Sequence, residues 1–204
     1  MGYSIDPISA GCYEGTSCLI NKFDIHDDKQ LSKIEAEITL AKISILENSP
    51  ISEEFDLEHY KSIHRFIFED LYDWAGEFRQ VDISKKGTSL CSAEQLESIA
   101  KNCFDRLKIN NFFLDLGREE FIDAIVDFYC VTNMLHPFRE GNGRVQRVFI
   151  EQLIHYNGYD FSFSDMDSDD LMIATIHSAN GVTDYLKELF SENISGQENG
   201  MTMV

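Results

Sequence analysis

The sequence predicts an all-α domain carrying one short β-hairpin, on three observations. Apolar residues recur at intervals of three and four along most of the chain, the pattern that lines one face of a helix. Only "EFRQVDISKKGTSL" alternates around a Lys-Lys-Gly turn, as a hairpin does. With 204 residues, fifteen Phe and three Pro, the chain has the apolar content for one substantial core and nothing that marks a linker or a repeat.

Residues 1–27 mix Gly, Ser and aromatics without a period. They read as an N-terminal arm, 1–12, then extended chain with a short helix over 17–23. From Asp28, Leu31, Ile34, Ile38, Ala41 and Ile45 fall at helical spacing behind Asp27 or Asp28 as N-cap, and the helix stops near Asn48-Ser49-Pro50. A second helix follows Phe55-Asp56, with Tyr60, Ile63, Ile67, Leu71 and Trp74 on one face and Gly76 as its stop. After the hairpin, Ser92-Ala93-Glu94-Gln95 reads as a capping box opening a third helix to about Ile109. The stretch 118–135 is the most apolar helix, and it ends where Pro137 restricts its predecessor. Helices over 142–157, capped by Gly158, then 168–178 and 182–192 complete one domain over 13–193, with 194–204 as a frayed tail.

Charge and composition exclude several functions. The formal charge of −19 argues against direct nucleic-acid binding, where Lys and Arg must neutralise phosphates. No run approaches the roughly 18 apolar residues of a membrane span, and "MGYSIDPISAGCYEG" lacks the charged start and apolar stretch of a signal peptide, so a soluble cytoplasmic protein is expected. The five cysteines are odd in number and scattered, as reduced thiols are. Cys130 falls on an apolar helical pattern, where a thiol packs as a small hydrophobe.

Against this acidic background "HPFREGNGRVQR", residues 136–147, gathers three arginines, a carboxylate, a histidine and a Gly-Asn-Gly triplet between two strong helices. A loop feeding a helix N-terminus presents unpaired N–H groups and the positive end of the dipole, which favour anions. Gly141 and Gly143 lack Cβ, so positive φ at both would curl the amides of 141–143 into a concave nest for phosphate. Arg144 and Arg147, three apart, are expected to fork onto the outer phosphates of a polyphosphate. Glu140 would repel that ligand unless a cation lay between, and Mg²⁺ is suited to one carboxylate plus phosphates. His136 is the one base in the stretch able to take a proton at neutral pH. His59 and His64, five apart on a helix, do not share a face for a metal and are expected to be structural. No G-x-x-x-x-G-K-[ST] occurs.

These residues resemble the signature of the Fic (filamentation induced by cAMP) family, H-x-F-x-[DE]-G-N-G-R-x-x-R, at every defined position. The resemblance extends over "FDLEHYKSIHRFIFEDLYDWAGEFRQVDISKKG" and "FIEQLIHYNGY", and so over about 13–191. It implies a helical Fic fold with a β-hairpin flap, and transfer of AMP from Mg-ATP to a Ser, Thr or Tyr hydroxyl of a protein. By position it implies His136 as general base and Glu140 as the Mg²⁺ ligand, with Gly141, Asn142 and Gly143 lining the anion hole. Arg144 and Arg147 would meet the outer phosphates, and the flap, with Val81, Asp82, Ile83, Ser84, Lys85, Lys86 and Gly87, would pair with the target's main chain.

The resemblance also bears on regulation. The inhibitory pattern [ST]-x-x-x-E-[GN] is not met at Glu14, Glu47, Glu192 or Glu198, where Ala10, Ile43, Glu188 and Ile194 stand at the Ser/Thr position. The expectation is a toxin-like enzyme silenced by a separate small antitoxin that supplies a glutamate to Arg147. Two other functions fit the same cradle: a kinase or other phosphodiester transferase, and a nucleotide-binding module without turnover. Gly143 favours AMP transfer over the kinase branch, which resembles a motif with Lys there. Intact His136 and Glu140 speak against a module that only binds phosphate.

Overall fold

Seven α-helices and a small sheet make up the described residues of the computed structural model, which are 4–5, 11–51, 54–85 and 88–196. The helices are α1 (Asp28–Asn48), α2 (Leu57–Phe68), α3 (Leu96–Ile109), α4 (Arg118–Leu135), α5 (Asn142–Tyr156), α6 (Ser168–Ser178) and α7 (Asp184–Asn193). Carboxylates cap three of them: Asp27 accepts from the Gln30 amide, Asp56 from that of His59, and Asp167 from those of Asp169 and Asp170. Each cap satisfies an otherwise orphaned donor and is worth about 1 kcal/mol.

α5 is the axis of the core. Val145, Phe149, Ile150, Leu153 and Ile154 have no exposed surface. The Phe149 ring lies 5.4–5.8 Å from those of Phe55, Tyr60, Phe104 and Phe128, so one side chain ties together α2, α3, α4 and the segment before α2. Burying the apolar stripe of α5 this way holds its N-terminus rigidly where 136–141 feed into it. Among the described residues no helix is long and apolar enough to cross a membrane.

The sheet is smaller and more composite than the sequence suggests. β2 (Ile83–Lys85) and β3 (Thr88–Ser89) form the expected hairpin, while a third strand, β1 (Ser4–Ile5), comes from the N-terminal arm and pairs antiparallel with the other edge of β2. Nothing in the arm's composition signals this, because an edge strand needs only main-chain donors and acceptors. Lys86 and Gly87 of the flap, most of the arm and 197–204 lie outside the described residues.

Four local expectations are corrected. No helix forms over 17–23; Cys12 and Leu19 bridge as extended chain, and Asn21 holds a tight turn with its side-chain oxygen accepting from the amides of Phe23 and Ile25. α2 stops at Phe68 rather than Trp74: the amides of Leu71 and Tyr72 both turn back to the Phe68 carbonyl, and Tyr72 stacks on Trp74 at 4.4 Å. The capping box at Ser92 is not made. Residues 93–95 form a 3-10 turn, Ser92 Oγ reaches the Gln95 side chain, and the Asp82 carboxylate accepts from the Ala93 amide at 2.7 Å instead. Gly143 does not adopt positive φ; it lies inside the first turn of α5, and only Gly141 of the pair is left-handed.

Candidate active site

The loop 136–141 is held by its own sequence. Pro137 disfavours the helical region for His136, which closes α4 in the left-handed conformation (φ 44°, ψ 58°) while its amide donates to the Thr132 carbonyl at 3.2 Å. Asn142 staples the other end, accepting from the Phe138 amide and donating to the Phe138 carbonyl, both at 2.8 Å. The side chain is 3 % exposed, so what it supplies is loop geometry. Gly141 turns the chain into α5 at φ 78°, and a Cβ there would sit 2.1 Å from Phe68 Cζ.

His64, expected as a structural histidine, sits directly beneath this loop. Its Nδ1 accepts from the Gly76 amide at 2.8 Å, so Nε2 carries the proton and donates to the Glu140 carbonyl at 3.1 Å. The ring stacks on Phe138 at 3.9 Å and on Phe68 at 4.7 Å. Burial holds the imidazole neutral and pushes its pKa down to about 3. In the unfolded chain it titrates near 6.5, so this contribution is complete above that pH and is lost progressively as pH falls from about 6.5 toward 3. Over that window the wild type is expected to lose roughly 1.4 kcal/mol per pH unit more than His64→Gln, which cannot titrate. Urea midpoints at pH 7 and pH 5 check this; parallel losses in the two proteins would contradict it.

His136 Nδ1 lies 3.2 Å from the Asn133 carbonyl, an acceptor, which assigns the proton to Nδ1 and leaves Nε2 as the basic nitrogen. The ring is 2 % exposed and lines a cavity of about 650 Å³ together with Asn133, Gly143, Gln146, Arg147 and Met172. Gln146 fixes the wall, donating from Nε2 to the Tyr129 carbonyl at 2.7 Å and to Thr132 Oγ1 at 2.8 Å. Arg147 faces the cavity with no carboxylate paired to it among the described residues, and burial, with Arg144 nearby, lowers its pKa. An anion entering the cavity would find that charge unneutralised.

The two arginines lie together on a second cavity, and only one of them also reaches the first. Arg147 borders both this cavity and a second one of about 430 Å³, whereas Arg144 borders only the second, with Ile43, Phe55, Val148 and Tyr156. Arg144 Nη2 lies 2.6 Å from Glu35 Oε1 and 3.3 Å from Glu140 Oε1. Glu140 Oε1 also accepts from the Gly141 amide at 2.8 Å, so that amide is engaged within the loop, and the open end of α5 is presented by Asn142 and Gly143. The third arginine, Arg139, is buried with Nη2 3.8 Å from Cys12 Sγ.

Of the flap residues, Val81 and Asp82 root the hairpin, Ile83 is buried, and Ser84 and Lys85 pair on the sheet. They are joined to His136 by a residue that sequence reasoning missed. Arg79 has a fully buried guanidinium: Nε donates to the His136 carbonyl at 2.9 Å, Nη1 to the Val81 carbonyl at 2.7 Å and Nη2 to the Cys91 carbonyl. Its amide donates to the Pro137 carbonyl at 2.8 Å. Both roots of the hairpin and the histidine loop thus hang on one side chain. The signal was thin, a single Arg in an alternating stretch whose acidic neighbours, Glu77 and Asp82, suggest an ordinary surface pair.

Cys130 packs against the core as expected, and burial pushes its thiol pKa up, away from the thiolate.

Comparison with known proteins agrees with this fold. Residues 54–154 match the Fic/DOC family. The chain is 31 % identical over 183 residues to the probable protein adenylyltransferase Fic of Salmonella typhimurium, covering 90 % of each protein. Its structure is similar, at TM-score 0.85 and 25 % identity over 92 % of this chain and 95 % of the other, to the N-terminal Fic domain of a cell filamentation protein of Bartonella quintana with bound ADP. It is also similar, at TM-score 0.83 and 25 % identity over 92 % and 97 %, to BepC of Bartonella tribocorum with bound AMPPNP.

Proposed function

The chain belongs to the Fic/DOC family and is a protein adenylyltransferase, and from the arrangement around its 650 Å³ cavity we propose how its residues divide the reaction. His136 Nε2 takes the proton of a Ser, Thr or Tyr hydroxyl of the target protein. The oxygen then attacks the α-phosphorus of ATP, forming the new P–O bond as the bond to the β-phosphate oxygen breaks and pyrophosphate leaves. Arg147 and the amides at the start of α5 hold the phosphates in line, so the catalytic work is positioning and charge neutralisation. The observation that carries this reading is the sharing of one cavity by a buried base, an arginine without a carboxylate partner among the described residues, and a helix N-terminus.

The residues fit Mg²⁺. Among the described residues no group of three or more His, Cys, Asp or Glu gathers into a cage, while Glu140 stands partly exposed beside the phosphate-facing turn. That is the donor set of an ion held by one or two carboxylates plus substrate phosphates. Glu140 would hold it, and when bound it neutralises charge on the phosphate oxygens. Gly143 favours AMP transfer over the kinase branch, whose motif resembles this one with Lys at that position.

The target docks as a strand on the flap. What supports this reading is the antiparallel pairing of the arm's own Ser4–Ile5 with β2, the edge that a target strand would take in its place. Control comes from a separate small antitoxin whose glutamate neutralises Arg147 from the 430 Å³ cavity. Glu47 lines that cavity too but lacks the Ser/Thr of the inhibitory pattern. The purified chain is therefore expected to be active alone; inactivity relieved by Glu47→Gly would refute control by a separate protein.

Two measurements test the reading. Mass spectrometry of a lysate incubated with the chain and Mg-ATP should find an adenylyl group on target hydroxyls; a phosphoryl group in its place would make the enzyme a kinase. Arg147→Ala should weaken ATP binding about 10- to 100-fold, the worth of charge-assisted hydrogen bonds to phosphate, without changing the thermal midpoint greatly. An unchanged dissociation constant by calorimetry would remove Arg147 from the phosphate site.

A further inference from the structure

Glu35 lies on α1, far in sequence from the loop, yet both of its oxygens are engaged at it. Oε1 is 2.6 Å from Arg144 Nη2, and Oε2 accepts from the hydroxyl of Tyr72, a residue 1 % exposed. The Glu35 side chain is itself 12 % exposed. Arg144 is fixed from three further directions: Nη1 donates to Thr39 Oγ1 at 3.1 Å, the guanidinium lies 4.8 Å from the Phe68 ring centre, and Nη2 also reaches Glu140 at 3.3 Å. One guanidinium nitrogen is therefore shared by two carboxylates, and it sits nearer to Glu35.

We propose that Glu35 is a positioning residue that draws the charge of Arg144 away from Glu140 and so leaves Glu140 able to hold a divalent cation. The inference rests on the reading of Glu140 as the cation's ligand. Glu140 and Arg144 are four residues apart across the start of α5, the spacing at which such side chains pair. With Glu35 absent, Arg144 would neutralise Glu140 alone, and a carboxylate already paired to a guanidinium is a poor ligand for a hard cation. With Glu35 present, one positive and two negative charges share the cluster, and the surplus negative charge lies at the turn into α5, beside the amides of Asn142 and Gly143. Tyr72, Thr39 and Phe68 hold this arrangement from α1, α2 and the turn after α2, so it is built before any ligand arrives.

The test is a calorimetric titration of Mg²⁺ into the full chain saturated with a non-hydrolysable ATP analogue, for wild type, Glu35→Gln and Glu35→Asp. Glu35→Gln, nearly isosteric but uncharged, should weaken Mg²⁺ binding roughly three- to tenfold, while Glu35→Asp, which keeps the charge, stays close to wild type. In AMP transfer the Mg²⁺ concentration for half-maximal rate should rise by the same factor, with the rate at saturating Mg²⁺ nearly restored. A merely structural ion pair would instead lower the rate at every Mg²⁺ concentration. Superimposable titrations, tighter binding in Glu35→Gln, or a loss that Mg²⁺ does not restore would each overturn the proposal. Glu140→Ala run alongside separates the two readings: if it leaves Mg²⁺ binding unchanged, the assignment of Glu140 is wrong and the role of Glu35 falls with it, whereas loss in Glu140→Ala with no change in Glu35→Gln sinks the role of Glu35 alone.

Discussion

His136→Ala is expected to lower the rate of AMP transfer by roughly 10²- to 10⁴-fold, the share of a positioned base, while ATP binds nearly as before. The separation is expected because the backbone of His136 is held independently of its ring. The amide donates to Thr132, the carbonyl accepts from Arg79 Nε at 2.9 Å, and Pro137 sets the turn. Removing the imidazole therefore empties part of the cavity wall without releasing the loop, and leaves Arg147 and the start of α5 in place. Single-turnover transfer measured beside ATP affinity checks both halves. A parallel loss of nucleotide affinity would make His136 a structural residue, and an unchanged rate would place the base elsewhere.

Gly141→Ala should be almost as damaging by a different route. At φ 78° an L side chain costs roughly 1–2 kcal/mol. The added Cβ would also lie 2.1 Å from Phe68 Cζ and 2.2 Å from Cε2, and overpacking of a closed site costs about 1–3 kcal/mol more. Phe68 has little freedom to retreat, since it stacks on His64 and Tyr72 and lies against the Arg144 guanidinium. The variant should lose about 2–5 kcal/mol of stability, or displace the loop and lose activity while still folded. Gly141→Ala combined with Phe68→Leu should recover the steric part and not the conformational part. Urea unfolding of the three proteins decides; a stable and fully active Gly141→Ala would mean the turn is not held as described.

The helices that pack by a continuous apolar stripe were legible from sequence. α4 runs over 118–135 and α6 over 168–178 as their periodicity and flanking residues predict, because burial and chain-breaking residues act locally there. The stretch 136–147 reads as a candidate anion site for the same reason, since its glycines, arginines and helix start are contiguous, and the structure brings His136, Gly143 and Arg147 to one cavity. What was not legible is whatever depends on a partner remote in sequence. Glu35 reads as the solvent side of an amphipathic helix until α1 is laid beside Arg144, and His64 reads as a spare histidine until Gly76 and Glu140 close on its two nitrogens. Arg79 and the added strand β1 belong to the same class. Spacing set the two motif arginines side by side, and both do line the 430 Å³ cavity; it could not show what else holds Arg144. Three residues apart places them on neighbouring positions of a helix, but α1 captures Arg144 with Glu35 and Thr39 and leaves Arg147 alone to face the His136 cavity.

Label transfer tests the central claim most directly: ATP carrying label at the α-phosphate is compared with ATP labelled at the γ-phosphate, each with Mg²⁺ in cell lysate and each against His136→Ala. Protein labelled from the α-position alone, and lost with His136→Ala, is the result this arrangement of base, arginine and helix start predicts. Labelling from the γ-position alone, or α-labelling that survives His136→Ala, would contradict it.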